Sequence, residues 1–138
     1  MDIYYIDTCI WRDYYENRED KFRPLGEWAL ELFKKIKEKK GKIIYSDFVE
    51  QELLAHYDKS IIANIFSSFS EEKIIEKVEA NRHQIAESKK ISKEKNLAFG
   101  DVLHAVLARD KKAIVVSRDH HFEQLQDIVK TNKPEELI

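Results

Sequence analysis

Residues 42–54 read KIIYSDFVEQELL, and the change of rhythm inside this stretch decides the fold. Lys42 to Tyr45 is a short run of strand length, rich in isoleucine. Ser46-Asp47 interrupts it, and Asp47 with Glu50 has the spacing of a capping box for a helix from about Phe48 to Tyr57. A strand running into a helix is half of a βαβ unit, and the rest of the chain repeats the theme. Upstream, Ile3 to Ile6 is a first strand ended by Asp7-Thr8. Residues 24–40 carry Leu25, Trp28, Ala29, Leu32, Phe33 and Ile36 at helical spacing. Pro24 suits the first turn of that helix, and Gly41 sits where a left-handed cap belongs. Downstream, Ser60 to Phe69 is helical, Lys73 to Val78 is ambiguous, and a polar helix is expected from about Glu79 to Lys95. Phe99 to Arg109 is helical and apolar on most sides, so it should be buried. Ala113 to Val116 is a strand ended by Ser117-Arg118-Asp119, Ile128 to Lys130 a last short strand, and Pro134 opens a terminal turn. Strands alternating with helices predict an α/β chain around a parallel sheet.

Composition narrows the classes. The 138 residues match the size of one domain, expected to span 1–138. With 43% apolar and 36% charged residues the chain is too apolar for disorder. No apolar run approaches the roughly 20 residues of a spanning helix. The start, MDIYYIDTCIW, has no basic region before its apolar stretch, so it reads as a strand and not as a secretion signal. The lone cysteine, Cys9, excludes an internal disulfide and a cysteine-based zinc cluster, and suits a reducing, cytoplasmic setting. A net charge of only -2 means that any nucleic-acid contact needs a local basic patch.

Asp7, Glu52, Asp101 and Asp119 are the candidates for chemistry. Asp7 and Asp119 follow strands, and Glu52 lies in the helix after the second strand. In open parallel sheets ligands bind outside the carboxyl ends of the strands. Asp101 joins them if its helix starts at the same edge. An aspartate after a strand is most often a cap or a turn residue, and Asp101 alone could serve its helix dipole. Glu52 is harder to dismiss. Its helical neighbours are Phe48, Val49, Ala55 and His56, with no Lys or Arg among them, whereas Glu50 shares a face with Leu54 and Tyr57. A carboxylate turned towards apolar surroundings is costly unless paired or metal-bound. Charges about 4 Å apart repel by roughly 4 kcal/mol at an effective dielectric of about 20, so four converging carboxylates call for a cation. All-oxygen ligands suit Mg²⁺ or Mn²⁺, and Mg²⁺ usually completes its shell with waters and substrate phosphate.

Four stretches carry a resemblance. Residues 3–8, IYYIDT, resemble the strand-plus-Asp-Thr start of PIN domains. Residues 43–54, IIYSDFVEQELL, resemble their second strand and its helix with a Glu-Leu pair. Residues 100–108, GDVLHAVLA, resemble their Asp-x-x-(Leu or Ile)-x-Ala-x-x-Ala helix, and residues 115–122, VVSRDHHF, their Val-(Thr or Ser)-x-Asp-x-x-Phe strand end. Order and spacing match along essentially the full chain, and the look is closest to small VapC-type toxins. The resemblance implies an α/β/α sandwich with a five-stranded parallel sheet. It implies a metal-dependent ribonuclease that leaves 5′-phosphate and 3′-hydroxyl ends, with Asp7, Glu52, Asp101 and Asp119 around Mg²⁺ or Mn²⁺. Thr8 and Ser117 would support them. It further implies a homodimer and a cognate antitoxin that occupies the active-site groove. Helix two offers Glu50 as well as Glu52, and the face argument prefers Glu52. Residues 58–94 match no motif.

Other features rank lower. Arg12 and Arg118 lie close in sequence to two of the acids and are weak candidates for RNA contact, with solvated surface charge the ordinary alternative. A zinc centre built from His104, His120 and His121 lacks a recognised spacing. Tyr4, Tyr5, Trp11, Tyr14 and Tyr15 suit core packing or an interface better than base stacking. A catalytically silent relative that binds RNA or protein is the main alternative, opposed by the intact acidic set. A receiver domain would require paired acids after strand one, where Asp7 stands alone. A flap-type DNA nuclease would be expected to be much longer.

Overall fold

The computed structural model describes residues 2–70 and 73–138. Five strands form one all-parallel sheet: β1 (Ile3–Ile6), β2 (Lys42–Ser46), β3 (Ile75–Val78), β4 (Ile114–Val116) and β5 (Thr131–Asn132). Their spatial order is β3-β2-β1-β4-β5. The connections carry α1 (Thr8–Glu16), α2 (Leu25–Glu38), α3 (Asp47–Leu54), α4 (Lys59–Ser70), α5 (Arg82–Lys95) and α6 (Phe99–Asp110). Right-handed crossovers put α1 to α4 on one face and α5 with α6 on the other, because the chain moves outward from β1 to β3 and then jumps back to β4. Ring contacts agree: Trp11 of α1 lies 5.2 Å from Phe33 of α2 and 5.0 Å from Phe66 of α4. The strand order reverses between β1 and β4, which makes their carboxyl ends the natural crevice for a ligand.

The central strands and α6 are apolar because each is covered on every side. Tyr5, Ile6, Ile43, Ile44, Val115 and Val116 are buried, as is all of α6 from Val102 to Ala108. This is the expected pattern for a parallel sheet packed on both faces.

Several local expectations shift. Helix α1 was not anticipated, since TCIWRDYYE opens with β-branched and aromatic residues that mask its period. Asp7 caps it in an extended conformation and accepts the Thr8 amide at 2.8 Å. Trp11, fully buried, belongs to the core. The cap of α3 is Ser46, which accepts from the Val49 amide; Asp47 instead accepts the Ala80 amide at 3.2 Å and ties β3 to β2. α3 ends at Leu54, short of Tyr57. The left-handed residue after α2 is Lys40 (φ 57), not Gly41. Gly41 is small for another reason: a Cβ there would lie 3.1 Å from the Asp2 carbonyl and from the Ile36 side chain. The ambiguous stretch becomes edge strand β3, and the polar helix starts at Arg82 behind an Asn81–Gln84 capping box. The last strand is Thr131–Asn132, because Val129 is drawn into the core and only then does the chain pair with β4.

Candidate functional site

At the carboxyl ends of β1 and β4, backbone pairing places the first two acids. The Asp7 amide donates to the Val116 carbonyl at 3.0 Å, so Asp7 starts where the two strands end. Its Oδ2 accepts the Ser117 hydroxyl at 2.7 Å. Ser117 Oγ also accepts the Asp119 amide at 3.0 Å, so one serine fixes both ends of this pair. Asp7 is 7% exposed and nearly sealed. The Cys9 thiol beside it is pushed up by burial and by the Asp7 charge, which leaves it unreactive.

Glu52 reaches the same point from α3. Its Oε1 accepts the Thr8 hydroxyl at 2.6 Å and faces His104 Nε2 at 2.6 Å. Glu50 turns away and pairs with Lys77. His104 is 1% exposed. Its Nδ1 meets the Tyr5 hydroxyl at 2.6 Å, which meets Ser46 Oγ at 2.7 Å, the same atom that caps α3. A continuous chain of hydrogen bonds therefore runs from the start of α3 to Glu52. Burial pushes the Glu52 carboxyl up, but the hydrogen bond and charge of His104, with the Thr8 hydroxyl, outweigh it and hold Glu52 below its usual range. His104 is raised in turn: burial lowers it, and Glu52, Asp7 and Asp101 more than offset that. Gly100 permits the approach of the two helices. A Cβ on it would lie 2.9 Å from the Phe48 ring and 3.9 Å from Glu52 Oε2.

Asp101 sits in the first turn of α6, at the same sheet edge. Burial, then the charges of Asp119 and Asp7, push its carboxyl up to about 6. His121 Nδ1 stands 3.3 Å from Asp101 Oδ2 and 2.9 Å from Asp119 Oδ1. Asp119 also accepts the His121 amide at 2.9 Å, capping the 3-10 turn His120–Leu125.

The structure thus brings Asp7, Glu52, Asp101 and Asp119 to one sheet edge, with Thr8 and Ser117 between them. It does not assemble a three-histidine zinc centre. His104 groups with Asp7 and Glu52, whereas His120 and His121 group with Asp119. Neither arginine is free. Arg12 pairs with Glu16 at 3.2 Å. Arg118 forms a two-pronged pair with Glu135 at 2.9 and 2.8 Å, contacts Asp13 at 3.3 Å and lies over Trp28. Sequence reading placed His104 near the site and Tyr5 in the core or an interface but found neither's partners, and it gave Gly100 no role of its own. The helical proximity of Gly100 and His104 to Asp101 was the available signal; their partners were not.

The donor set fits a hard divalent cation. Carboxylate oxygens of Asp7 and Glu52 lie within 4.8 Å of each other and of His104 Nε2, and Asp101 is raised by burial and then by the charges of Asp119 and Asp7, a repulsion that a cation would reduce.

A five-stranded parallel α/β sheet with a carboxylate cluster at its switch point defines an α/β domain with an acidic candidate metal site. A family model described as PIN domain matches residues 4–128, and the chain belongs to that family. PIN domains are generally nucleases. Among solved structures the chain is similar to VapBC2 from Rickettsia felis bound to a promoter DNA fragment (TM-score 0.69, 16% identity, covering 95% of this chain and 98% of that one). It is also similar to a toxin–antitoxin complex from Klebsiella pneumoniae (TM-score 0.63, 14% identity, 97% and 98% covered). FitAcB from Neisseria gonorrhoeae gives a TM-score of 0.59 at 17% identity, with 97% and 99% covered. At these identities the likeness carries the fold. No curated protein matches the sequence. No helix among the described residues is long and apolar enough to cross a membrane.

Proposed function

We propose that residues 1–138 form one Mg²⁺- or Mn²⁺-dependent endoribonuclease unit, acting in the cytoplasm as the toxin of a toxin–antitoxin pair. The observation that carries this reading is the gathering of four carboxylates at the switch point, one of them pushed up to about 6 by burial and then by the charges of Asp119 and Asp7. Asp7, Glu52, Asp101 and Asp119 would hold the ion. A bound ion would supply Lewis-acid chemistry there, lowering the pKa of a water and offsetting charge on the phosphate. The chain's own residues set the stage. Ser117 orients Asp7 and Asp119 together, and Thr8 with His104 aims Glu52. No side chain need act as nucleophile. With the 3′ oxygen as leaving group, the expected products carry 5′-phosphate and 3′-hydroxyl ends. The structural neighbours are toxin–antitoxin complexes, which supports a cognate antitoxin as partner; the homodimer rests on the sequence resemblance alone.

The test is incubation of purified protein with a mixed RNA pool in Mg²⁺, in Mn²⁺ and in chelator, alongside Asp7→Asn. Metal-dependent cleavage that disappears in the variant supports the reading. Cleavage that survives both chelator and variant sinks the site assignment. Metal binding without cleavage of any RNA favours a silent binding domain.

A further inference from the structure

We infer that Lys89, Lys93 and Phe99 form a landing site for single-stranded RNA that leads into the acidic cluster; the inference rests on the nuclease reading above.

An acidic site on a chain of net charge -2 repels a polyanion unless cations stand nearby. Arg12 and Arg118 do not meet that need, since both are engaged by carboxylates. Helix α5 is different. Lys89 and Lys93 are exposed, stand one turn apart and form no ion pair with any described residue. The positions three and four away are Ile85, Ala86, Ser92 and Lys93 for Lys89, and Lys89, Lys90, Asn96 and Leu97 for Lys93. None is acidic, so the like-charge pair is left uncompensated, at a small cost to the helix. The other side of α5 is firmly committed. Glu87 holds Arg109 of α6 through two bonds of 2.7 Å, and Lys95 pairs with Asp127 at 3.1 Å. The lysine pair therefore projects from a helix anchored to the one that bears Asp101.

Lys89, Ser92, Lys93 and Phe99 line one open depression of about 380 Å³. Phe99 is half-buried, its ring edge-on to Phe48 at 6.1 Å, and Phe48 in turn lies 5.3 Å from His104. Asp101 lies two positions after Phe99 in the first turn of α6, on a different side of the helix, so the link from Phe99 to the cluster runs through Phe48 and His104 to Glu52. A positive pair beside an aromatic surface is the chemistry that holds single-stranded nucleic acid, with lysines on phosphates and the ring under a base. An acidic peptide would use the lysines but gain nothing specific from the ring.

The experiment measures binding of a labelled single-stranded RNA to the full chain by fluorescence anisotropy in chelator, where no cleavage occurs. Wild type is compared with Lys89→Glu/Lys93→Glu, with Phe99→Leu, and with Lys34→Glu/Lys39→Glu on and just after α2. The α5 double variant should bind at least about tenfold more weakly, and its salt dependence should flatten by about 1.4 in log–log slope, as expected for two lost phosphate contacts on a single strand. Phe99→Leu, which keeps an apolar group against Phe48, should weaken binding about fivefold through lost stacking. The α2 variant should match wild type. Unchanged RNA affinity in the α5 double variant, or no RNA binding by wild type, overturns the inference. So does tighter, lysine-dependent binding of poly-glutamate than of RNA, which would assign the patch to an acidic protein. If wild type cleaves no RNA yet the α5 variant loses RNA binding, the nuclease reading fails and the landing site stands.

Discussion

The two halves of the acidic site are built on opposite principles. On the Asp7–Glu52 side the carboxylates are held by donors of the protein itself: the Ser117 and Thr8 hydroxyls, the Thr8 amide and the His104 ring. On the Asp101–Asp119 side the two acids face each other and the exposed ring of His121, and Asp101 is pushed up to about 6. The first half is organised before any ion arrives, so it sets position. The second holds a carboxyl raised by burial and by its acidic neighbours, so under the proposed metal reading it would set affinity. A site made wholly of the first kind would bind a cation weakly, and one made wholly of the second would burden the fold.

Removing the charge of the organised half should have the largest effect. Asp7→Asn is expected to lower the rate of metal-dependent RNA cleavage by more than about a hundredfold while thermal unfolding shifts little, because several kcal/mol of transition-state stabilisation pass through the bound ion. Comparable cleavage by the variant would mean that Asp7 is only a helix cap. Next comes the buried histidine. His104→Ala removes one of the two partners of the Tyr5 hydroxyl and of Glu52, which keep Ser46 and Thr8, and opens space in the core, so denaturant unfolding should show a loss of about 3 kcal/mol. A loss near zero would make the chain of hydrogen bonds incidental. Gly100→Ala should cost roughly 1–2 kcal/mol, since the Phe48 ring must give way to the new methyl group.

The repelled half should behave in the opposite sense. Folded Asp101 keeps its proton up to about pH 6, whereas the unfolded chain releases it near 3.8. The native state thus binds more protons in that window, and stability falls as pH rises through it. Asp101→Asn should stabilise the metal-free protein at pH 7 by about 1 kcal/mol, discounting the shift for its half exposure, while abolishing the gain in thermal stability on adding Mg²⁺. His104 is raised in part by the Asp101 charge and its titration acts above pH 6.5, so the Asp101 effect is read between about pH 4 and 6. If Asp101→Asn instead destabilises the metal-free protein, the repulsion is not real. Smallest of all is Glu50→Gln. It removes a surface pair with Lys77, so stability should change by less than about 0.5 kcal/mol and cleavage should not change. A variant that loses cleavage would move the metal ligand from Glu52 to Glu50.

Much of this was legible without coordinates. The alternation of strand and helix, the parallel sheet and the four acids after or beside strand ends follow from periods and punctuation in the chain, because burial on both faces of a sheet demands continuous apolar strands. Where the reading slipped, a local rule lost to a tertiary one. Gly41 looked like a left-handed cap, but Lys40 takes that conformation and Gly41 is small because Ile36 and the Asp2 carbonyl crowd it. Helix α1 was hidden because Trp11 is there for the core and not for helix propensity.

Sequence alone determined which groups exist and at which ends of which elements they stand. It could not pair them. His104 meets Glu52 across 52 positions, Ser117 meets Asp7 across 110, and Arg118 meets Asp13 across 105. Only the order β3-β2-β1-β4-β5 brings those residues together. The charge state of the site follows from that geometry, since a carboxylate's proton affinity depends on burial and on charges a few ångströms away, and such proximity is a property of the folded chain.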